Sequence, residues 1–278
     1  MMISSKEDLD NIRNLIKTRC GIWLADTKMN FLTIRLTNRL KVTGMETPKD
    51  YCYYLKYDPG GDNELNQLID AVTVNETYFY RDQDQLSDFS DEIVPAMMKN
   101  KRGWDSIRIW SAGCSTGEEP YTLAMMLLEH PQKIDHSRIS IIASDISDTV
   151  LRAAREGIYD DYSVRYVPPH LLLKYFDKGR DGRYALKETI KKVVKFAHIN
   201  LMDPFAAGRV KEMDCIFCRN VILYFDDDDK ERCTQYLYRG MNKGGHLVLG
   251  RAESLGRISN LFDVVRLKRT TVYGKSGS

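Results

Sequence analysis

An α/β chain carrying an inserted antiparallel β-subdomain and preceded by a small all-α domain is the fold class this sequence predicts. Three observations carry it. The first seventy-five residues show helical periodicity only. From Ser106 onward, short apolar runs alternate with helical stripes, as a parallel sheet covered by helices requires. Between Gly157 and Lys192 that alternation lapses into polar, aromatic chain with turn signals. The predicted division is residues 1–75 helical, 76–105 linker and lead-in helix, and 106–278 α/β, with the insertion at about 158–192.

In the helical part, Ser4 or Ser5 caps a first helix with Glu7 and Asp8 in its first turn and Leu9, Ile12, Leu15 and Ile16 on one face. A second helix fits Lys28 to Lys41, ending before Gly44, and a third runs from Pro48 to the turn cluster Asp58-Pro59-Gly60-Gly61. Leu65, Leu68, Ile69 and Val72 mark a fourth.

In the α/β part, Ile107–Trp110 reads as a strand running into Ser111-Ala112-Gly113-Cys114-Ser115-Thr116-Gly117, and Leu123, Met126 and Leu127 mark the helix that follows. Further strands fit Ile139–Ala143, Val193–Ala197, Cys215–Cys218 and His246–Leu249, with a last antiparallel strand from Asp263 to Tyr273. In the insertion, Pro168-Pro169 and the hairpin signal Arg180-Asp181-Gly182-Arg183 point to antiparallel strands. Asp226–Asp229 reads as the start of a helix that Gly244-Gly245 ends.

Bulk properties narrow the function classes. At 278 residues, 43% hydrophobic and 29% charged, the chain is an ordinary globular protein. No apolar run approaches the roughly 18–20 residues that span a bilayer, and the first residues lack a signal-peptide pattern, so a cytoplasmic location is expected. A net charge of +2 gives no argument for nucleic acid. Cys215 and Cys218 form a Cys-x-x-Cys, but in a strand positions three apart face opposite sides, so no metal is expected there.

The chemistry concentrates at strand ends. Gly113-x-Ser115-x-Gly117 follows a strand and opens a helix, the place where a backbone turn receives a nucleotide-like ligand. Glu118 and Glu119 at that helix start would repel a pyrophosphate but not a cationic sulfonium ligand bearing an ammonium. That weighs against a dinucleotide-dependent oxidoreductase. Asp145 ends the next strand, suited either to ribose hydroxyls or to capping the helix near Ser147. Asn200-Leu201 and Arg219-Asn220 follow two further strands, and an asparagine amide suits an adenine edge. Tyr224 lies just beyond, and Asn75, Thr77 and Arg81 lie in a polar-aromatic segment that reads as a lid or as a linker with buried aromatics.

Asn75-x-Thr77-x-Phe79-x-Arg81, Trp110 to Tyr121, Ala143-Ser144-Asp145-Ile146, Asn200-Leu201 and Phe217-Cys218-Arg219-Asn220-Val221-x-x-Tyr224-Phe225 together resemble the motifs of the CheR-type chemotaxis receptor methyltransferases, in order and over nearly the whole chain. The resemblance implies a Rossmann-like S-adenosylmethionine-dependent methyltransferase domain with a three-stranded insertion, receptor glutamates as acceptors, and no metal. It implies that Asn75, Thr77 and Arg81 close on the cofactor and reacting centre and that Glu118 or Glu119 holds the methionine moiety. By the same carry-over, Gly113 lies in the cofactor turn and Asp145 takes the ribose. Asn200, Leu201, Arg219 and Asn220 would surround the adenosine, with Tyr224 beside the methyl group.

Arg81 is expected to hold the acceptor carboxylate in a bidentate fork. Acidic receptor helices in such systems would dock on the basic second helix through Arg35 and Arg39, four apart and so on one face. The compact Lys178–Arg183 loop favours a form that acts without a receptor C-terminal tether peptide, and a monomer is expected. A binding module without turnover and a nucleic-acid methyltransferase are the competing readings. The intact motif set disfavours the first and the near-neutral charge the second.

Overall fold

The computed structural model describes residues 5–99, 101–102, 105–256 and 258–276. Its chain separates into two compact units: one of residues through Val74 together with Leu223–Lys230, the other of Asn75–Ile222 and the chain from Glu231 onward.

The first unit is helical. Helix α1 (Lys6–Cys20) starts where the Ser5 hydroxyl accepts the Asp8 N–H and stops at Gly21, whose left-handed φ of 76° closes the last turn; Ser4 lies outside the described residues. A 3₁₀ turn at Asp26–Lys28 leads into α2 (Met29–Thr43), which stops, as expected, before Gly44. Helix α3 (Pro48–Tyr57) has proline in its first turn behind the Thr47 cap, and α4 (Gly61–Val72) carries the predicted stripe. Ile12, Ile16, Leu32, Leu36, Tyr51, Leu68 and Ile69 are all buried at 1% exposure or less, giving this unit its own core.

The second unit opens with α5 (Gln83–Asp88), a π-helical turn and α6 (Val94–Lys99). Then come β1 (Ile107–Ala112), α7 (Glu118–Leu128), β2 (Ile139–Asp145) and α8 (Asp148–Glu156). The insertion follows with β3 (Ile158–Tyr159), α9 (Asp161–Val164), α10 (Pro169–Tyr175), β4 (Phe176–Lys178), β5 (Tyr184–Leu186) and α11 (Glu188–Lys191). The chain returns through β6 (Val194–His198), α12 (Pro204–Ala207), β7 (Met213–Cys218), α13 (Asp227–Gly240), β8 (Met241–Leu249), β9 (Asp263–Arg266) and β10 (Thr271–Gly274).

The main sheet has the order β6-β2-β1-β7-β8-β10-β9. Its first five strands pair in parallel, and the last two pair antiparallel. Strand β7 is buried along its whole length, which explains its unbroken apolar run. The chain leaves β1 toward β2 and later returns to β1's other side with β7, so the carboxyl ends of β1 and β7 mark a topological switch point, where open α/β sheets bind ligands. The insertion forms its own antiparallel sheet, β3-β5-β4, whose hairpin turns at Gly182 with φ 84°.

Two expectations are corrected. Asp263–Tyr273 is a hairpin and not one strand, because Lys268 and Arg269 donate their backbone N–H groups to Glu92 and Asp88 and turn the chain there. Gly244-Gly245 lies within β8, with α13 already ended at Gly240; Gly244, at φ 73°, donates to Lys275 O instead.

Candidate active site

The glycine turn after β1 is held by three backbone N–H bonds to the end of β2. Gly113 and Cys114 donate their N–H groups to Ser144 O at 2.8 and 2.9 Å, and Ser115 N–H donates to Asp145 Oδ2 at 2.9 Å. Gly113 sits at φ 80°, and a Cβ there would lie 2.3 Å from Val221 Cγ2, so only glycine lets this turn pass the chain leaving β7. Asp145 Oδ1 also accepts from Ser147 N–H at 3.1 Å, while Ser147 itself caps α8 through Val150 N–H. The helix cap is therefore Ser147, and Asp145 braces the glycine turn.

The two glutamates of α7 diverge. Glu118, 2% exposed, accepts from Thr116 Oγ1 at 2.7 Å and from Ser163 Oγ of α9 at 3.2 Å. It ties the glycine turn to the insertion. Glu119 accepts from Ser111 Oγ at 2.7 Å and has Arg219 Nε at 3.3 Å, with 14% of its side chain exposed. Burial raises the pKa of both carboxyls; at Glu119 the charges of Arg219 and Arg81 pull the other way. Glu119 thus faces the arginines, and Glu118 does not.

Arg219, its side chain 3% exposed, donates through Nη1 and Nη2 to Arg81 O at 3.1 Å and pairs with Asp82 at 3.3 Å. It fastens the Asn75–Arg81 segment to the end of β7. That segment also reaches the glycine turn, where Ser115 Oγ donates to Asn75 O at 3.1 Å, and reaches α7 and α9 through Tyr80 N–H to Thr122 Oγ1 and Phe79 N–H to Ser163 O. Arg81 donates to Glu76 O at 2.9 Å and makes no ion pair among the described residues. Thr77 is half-buried in the same segment.

Backbone conformation singles out the same places. Among the described residues, six that are not glycine have left-handed φ, and four of them, Tyr80, Asp82, Ser115 and Asn220, belong to this cluster. Such conformations cost on the order of 1–3 kcal/mol each and persist where surrounding contacts enforce them. At Asn220 the enforcing group is Glu253. Its carboxylate accepts the N–H groups of Asn220 at 2.7 Å, Val221 at 2.9 Å and Gly250 at 2.7 Å, clipping the ends of β7 and β8 together. Glu253 was missed in the sequence reading, since no motif marks an acid in the loop after β8. Asn220 Oδ1 is buried without a hydrogen-bond partner, a state that a ligand donor would resolve.

At the end of β6, Asn200 Oδ1 accepts Met202 N–H at 2.9 Å and Leu201 is buried, while Ile199 N–H joins this loop to Asp145 O at 3.0 Å. Thus Asn75, Thr77, Arg81, Gly113, Glu119, Asp145, Asn200, Leu201, Arg219 and Asn220 all belong to the strand ends, the helix start and the connecting segments joined by these bonds in the second unit. Tyr224 belongs to the first unit, where its carbonyl accepts Trp23 N–H at 2.8 Å.

On α2, Arg35 is exposed and stacks on Phe31 at 4.9 Å. Arg39 differs from the docking expectation. It grips Glu64 of α4 through Nε at 2.9 Å and Nη2 at 2.6 Å, and Tyr51 Oη donates to the same carboxylate at 2.6 Å. The acid lies on another helix, where linear charge counting along α2 does not reveal it.

The residues present fit S-adenosylmethionine: an unpartnered buried amide oxygen at Asn220, a turn that admits only glycine, and a carboxylate in place of a phosphate-binding cradle. Comparison with known proteins agrees. The all-alpha domain of the CheR methyltransferase family matches residues 7–73, and that family's SAM binding domain matches residues 75–271. Chemotaxis protein methyltransferase 2 of Vibrio cholerae is 38% identical over 99% of this chain and 94% of its own. Chemotaxis protein methyltransferase of Borreliella burgdorferi is 36% identical over 92% and 91%. With both domains matched in order and relatives aligned almost end to end, the chain belongs to the CheR methyltransferase family.

Proposed function

We propose that the chain transfers a methyl group from S-adenosylmethionine to glutamate side chains of chemoreceptors, forming methyl esters. The observation that supports this most directly is the pairing of Arg81, a guanidinium without a carboxylate partner among the described residues, with the strand-end loops that suit the cofactor. When bound, S-adenosylmethionine would supply an electrophilic sulfonium methyl for an ionised glutamate oxygen, with the thioether sulfur as the leaving group. A glutamate with an ordinary pKa near 4.3 is already ionised at neutral pH, so no general base is required.

The chain's residues then position and screen. Asp145 takes the ribose while bracing Ser115, and Asn220 Oδ1 accepts from the adenine. Asn200 and Leu201 flank the base, and Asn75 and Thr77 close over the cofactor. Glu119 receives the ammonium of the methionine moiety; Glu118, committed to Thr116 and Ser163, holds the turn instead. Arg81 forks the acceptor carboxylate, and Arg219 holds Arg81's backbone. In-line positioning of this kind is worth about 7–11 kcal/mol when alignment is good. Docking of the receptor on α2 falls to Arg35, since Arg39 is occupied by Glu64. The short β4–β5 turn suits a form that acts without a tether peptide.

Calorimetric titration with S-adenosylmethionine, S-adenosylhomocysteine and NAD tests the cofactor class. Saturable binding of the first two and not of NAD is expected; binding of NAD alone would overturn the reading. Alanine replacement of acceptor glutamates in a receptor fragment should abolish labelling, and labelling that persists would exclude glutamate as the acceptor.

A further inference from the structure

Three tyrosines and an arginine form a patch that the cofactor site does not use. Tyr78 packs with Tyr162 and Tyr166 at ring-centroid distances of 6.3 and 5.4 Å. The guanidinium of Arg165 lies over all three rings, at 3.6 Å from Tyr162, 3.8 Å from Tyr78 and 4.9 Å from Tyr166. Tyr162 and Tyr166 are 50% and 49% exposed, and Arg165 is exposed as well. Arg165 donates to Tyr162 O and makes no ion pair among the described residues. A guanidinium stacked on rings keeps its in-plane N–H edge for a carboxylate, and stacking fixes its orientation in advance.

The surrounding acids are committed or peripheral. Glu76 accepts from Tyr162 Oη at 2.9 Å, and Asp160 caps α9 through Ser163 N–H at 2.8 Å; Asp161 is exposed on the same short helix. The patch also touches the site. Arg81 stacks on Tyr78 at 5.8 Å, so one aromatic ring separates the two unpaired guanidiniums. Phe79 N–H to Ser163 O, and Ser163 Oγ to Glu118, join the patch's backbone to the glycine turn.

We propose that this platform docks an acidic segment of the protein substrate, with Arg165 gripping a carboxylate that neighbours the acceptor while Arg81 holds the acceptor itself. The inference rests on the reading of Arg81 given above. Arg165 is then a specificity-determining residue: it selects acceptors that have a second acid nearby.

The test is steady-state methylation of a purified cytoplasmic fragment of a chemoreceptor from the same organism. The same fragment with the acids within four residues of each acceptor changed to amides serves as the second substrate. Arg165→Glu should raise KM for the acidic fragment at least tenfold, leaving kcat, S-adenosylhomocysteine affinity and melting temperature within twofold or a few degrees of the parent. The amide fragment should raise the parent enzyme's KM similarly and leave that of Arg165→Ala unchanged. Tyr166→Leu, which removes one stacked ring and keeps the charge, should give an intermediate KM if folding suffers in the charge reversal. An unchanged KM in Arg165→Glu, or equal sensitivity of parent and Arg165→Ala to the amide substrate, would overturn the proposal. Failure of the parent to methylate either fragment would instead overturn the underlying assignment of glutamate as acceptor.

Discussion

Glu253 accepts the backbone N–H of Asn220 at 2.7 Å and, with its second oxygen, that of Val221 at 2.9 Å, so one carboxylate holds the chain leaving β7 in a left-handed turn. The turn presents Asn220 Oδ1 as a buried acceptor without a partner. Glu253 thereby sets the geometry of Asn220, the residue proposed above to accept from the adenine.

Glu253→Gln keeps the shape but turns an amide N–H toward backbone donors. Each orphaned N–H costs about 1–3 kcal/mol, so S-adenosylhomocysteine affinity should fall about tenfold or more with a modest drop in melting temperature. Calorimetry on the variant checks this; undiminished affinity would remove Glu253 from the site.

Arg81→Lys retains charge but loses the planar fork. The expected result is a loss of about 100-fold in kcat/KM for receptor, with a smaller change in S-adenosylhomocysteine affinity. Full kcat/KM in this variant would show that Arg81 does not hold the acceptor.

Gly113→Ala drives a methyl to within 2.3 Å of Val221 Cγ2 and places alanine at φ 80°. The double change Gly113→Ala with Val221→Ala should recover only part of the lost stability, because the left-handed strain of about 1–2 kcal/mol remains. Thermal denaturation of the single and double variants separates clash from strain; complete recovery would leave no role for backbone strain.

How much of this was legible beforehand follows from where the information sits. The strands and the strand-end motifs were readable because apolar runs and short-range spacing encode them locally: Gly113 to Glu119 lies within one turn and one helix start. Glu253 and Asn220 are joined across 33 positions, and Arg39 meets Glu64 across 25, so neither partnership leaves a local pattern. The two α7 glutamates were indistinguishable in sequence; they separate only because α9 brings Ser163 to one and β7 brings Arg219 to the other. The β9–β10 hairpin was hidden for a similar reason, its turn being set by Asp88 and Glu92 from a distant helix pair.

His246 in β8 gives a pH prediction. Its Nδ1 is buried without a partner, and burial lowers its pKa below 6.5. The folded state therefore keeps the ring neutral, while the unfolded chain takes up a proton as pH falls through about 6.5. Its contribution to stability is full above that pH and declines below it. His246→Gln should flatten the fall in melting temperature between pH 7.5 and 5.5 relative to the parent; parallel curves would show that other groups govern the acid limb.

The most direct test of the central claim is chemical. The enzyme is incubated with methyl-labelled S-adenosylmethionine and a chemoreceptor cytoplasmic fragment, and the washed fragment is treated with mild alkali. Glutamate methyl esters predict that the label appears on the fragment and leaves it as volatile methanol on hydrolysis. Label that withstands alkali, or that never reaches the fragment while the cofactor binds, would contradict transfer to glutamate carboxylates.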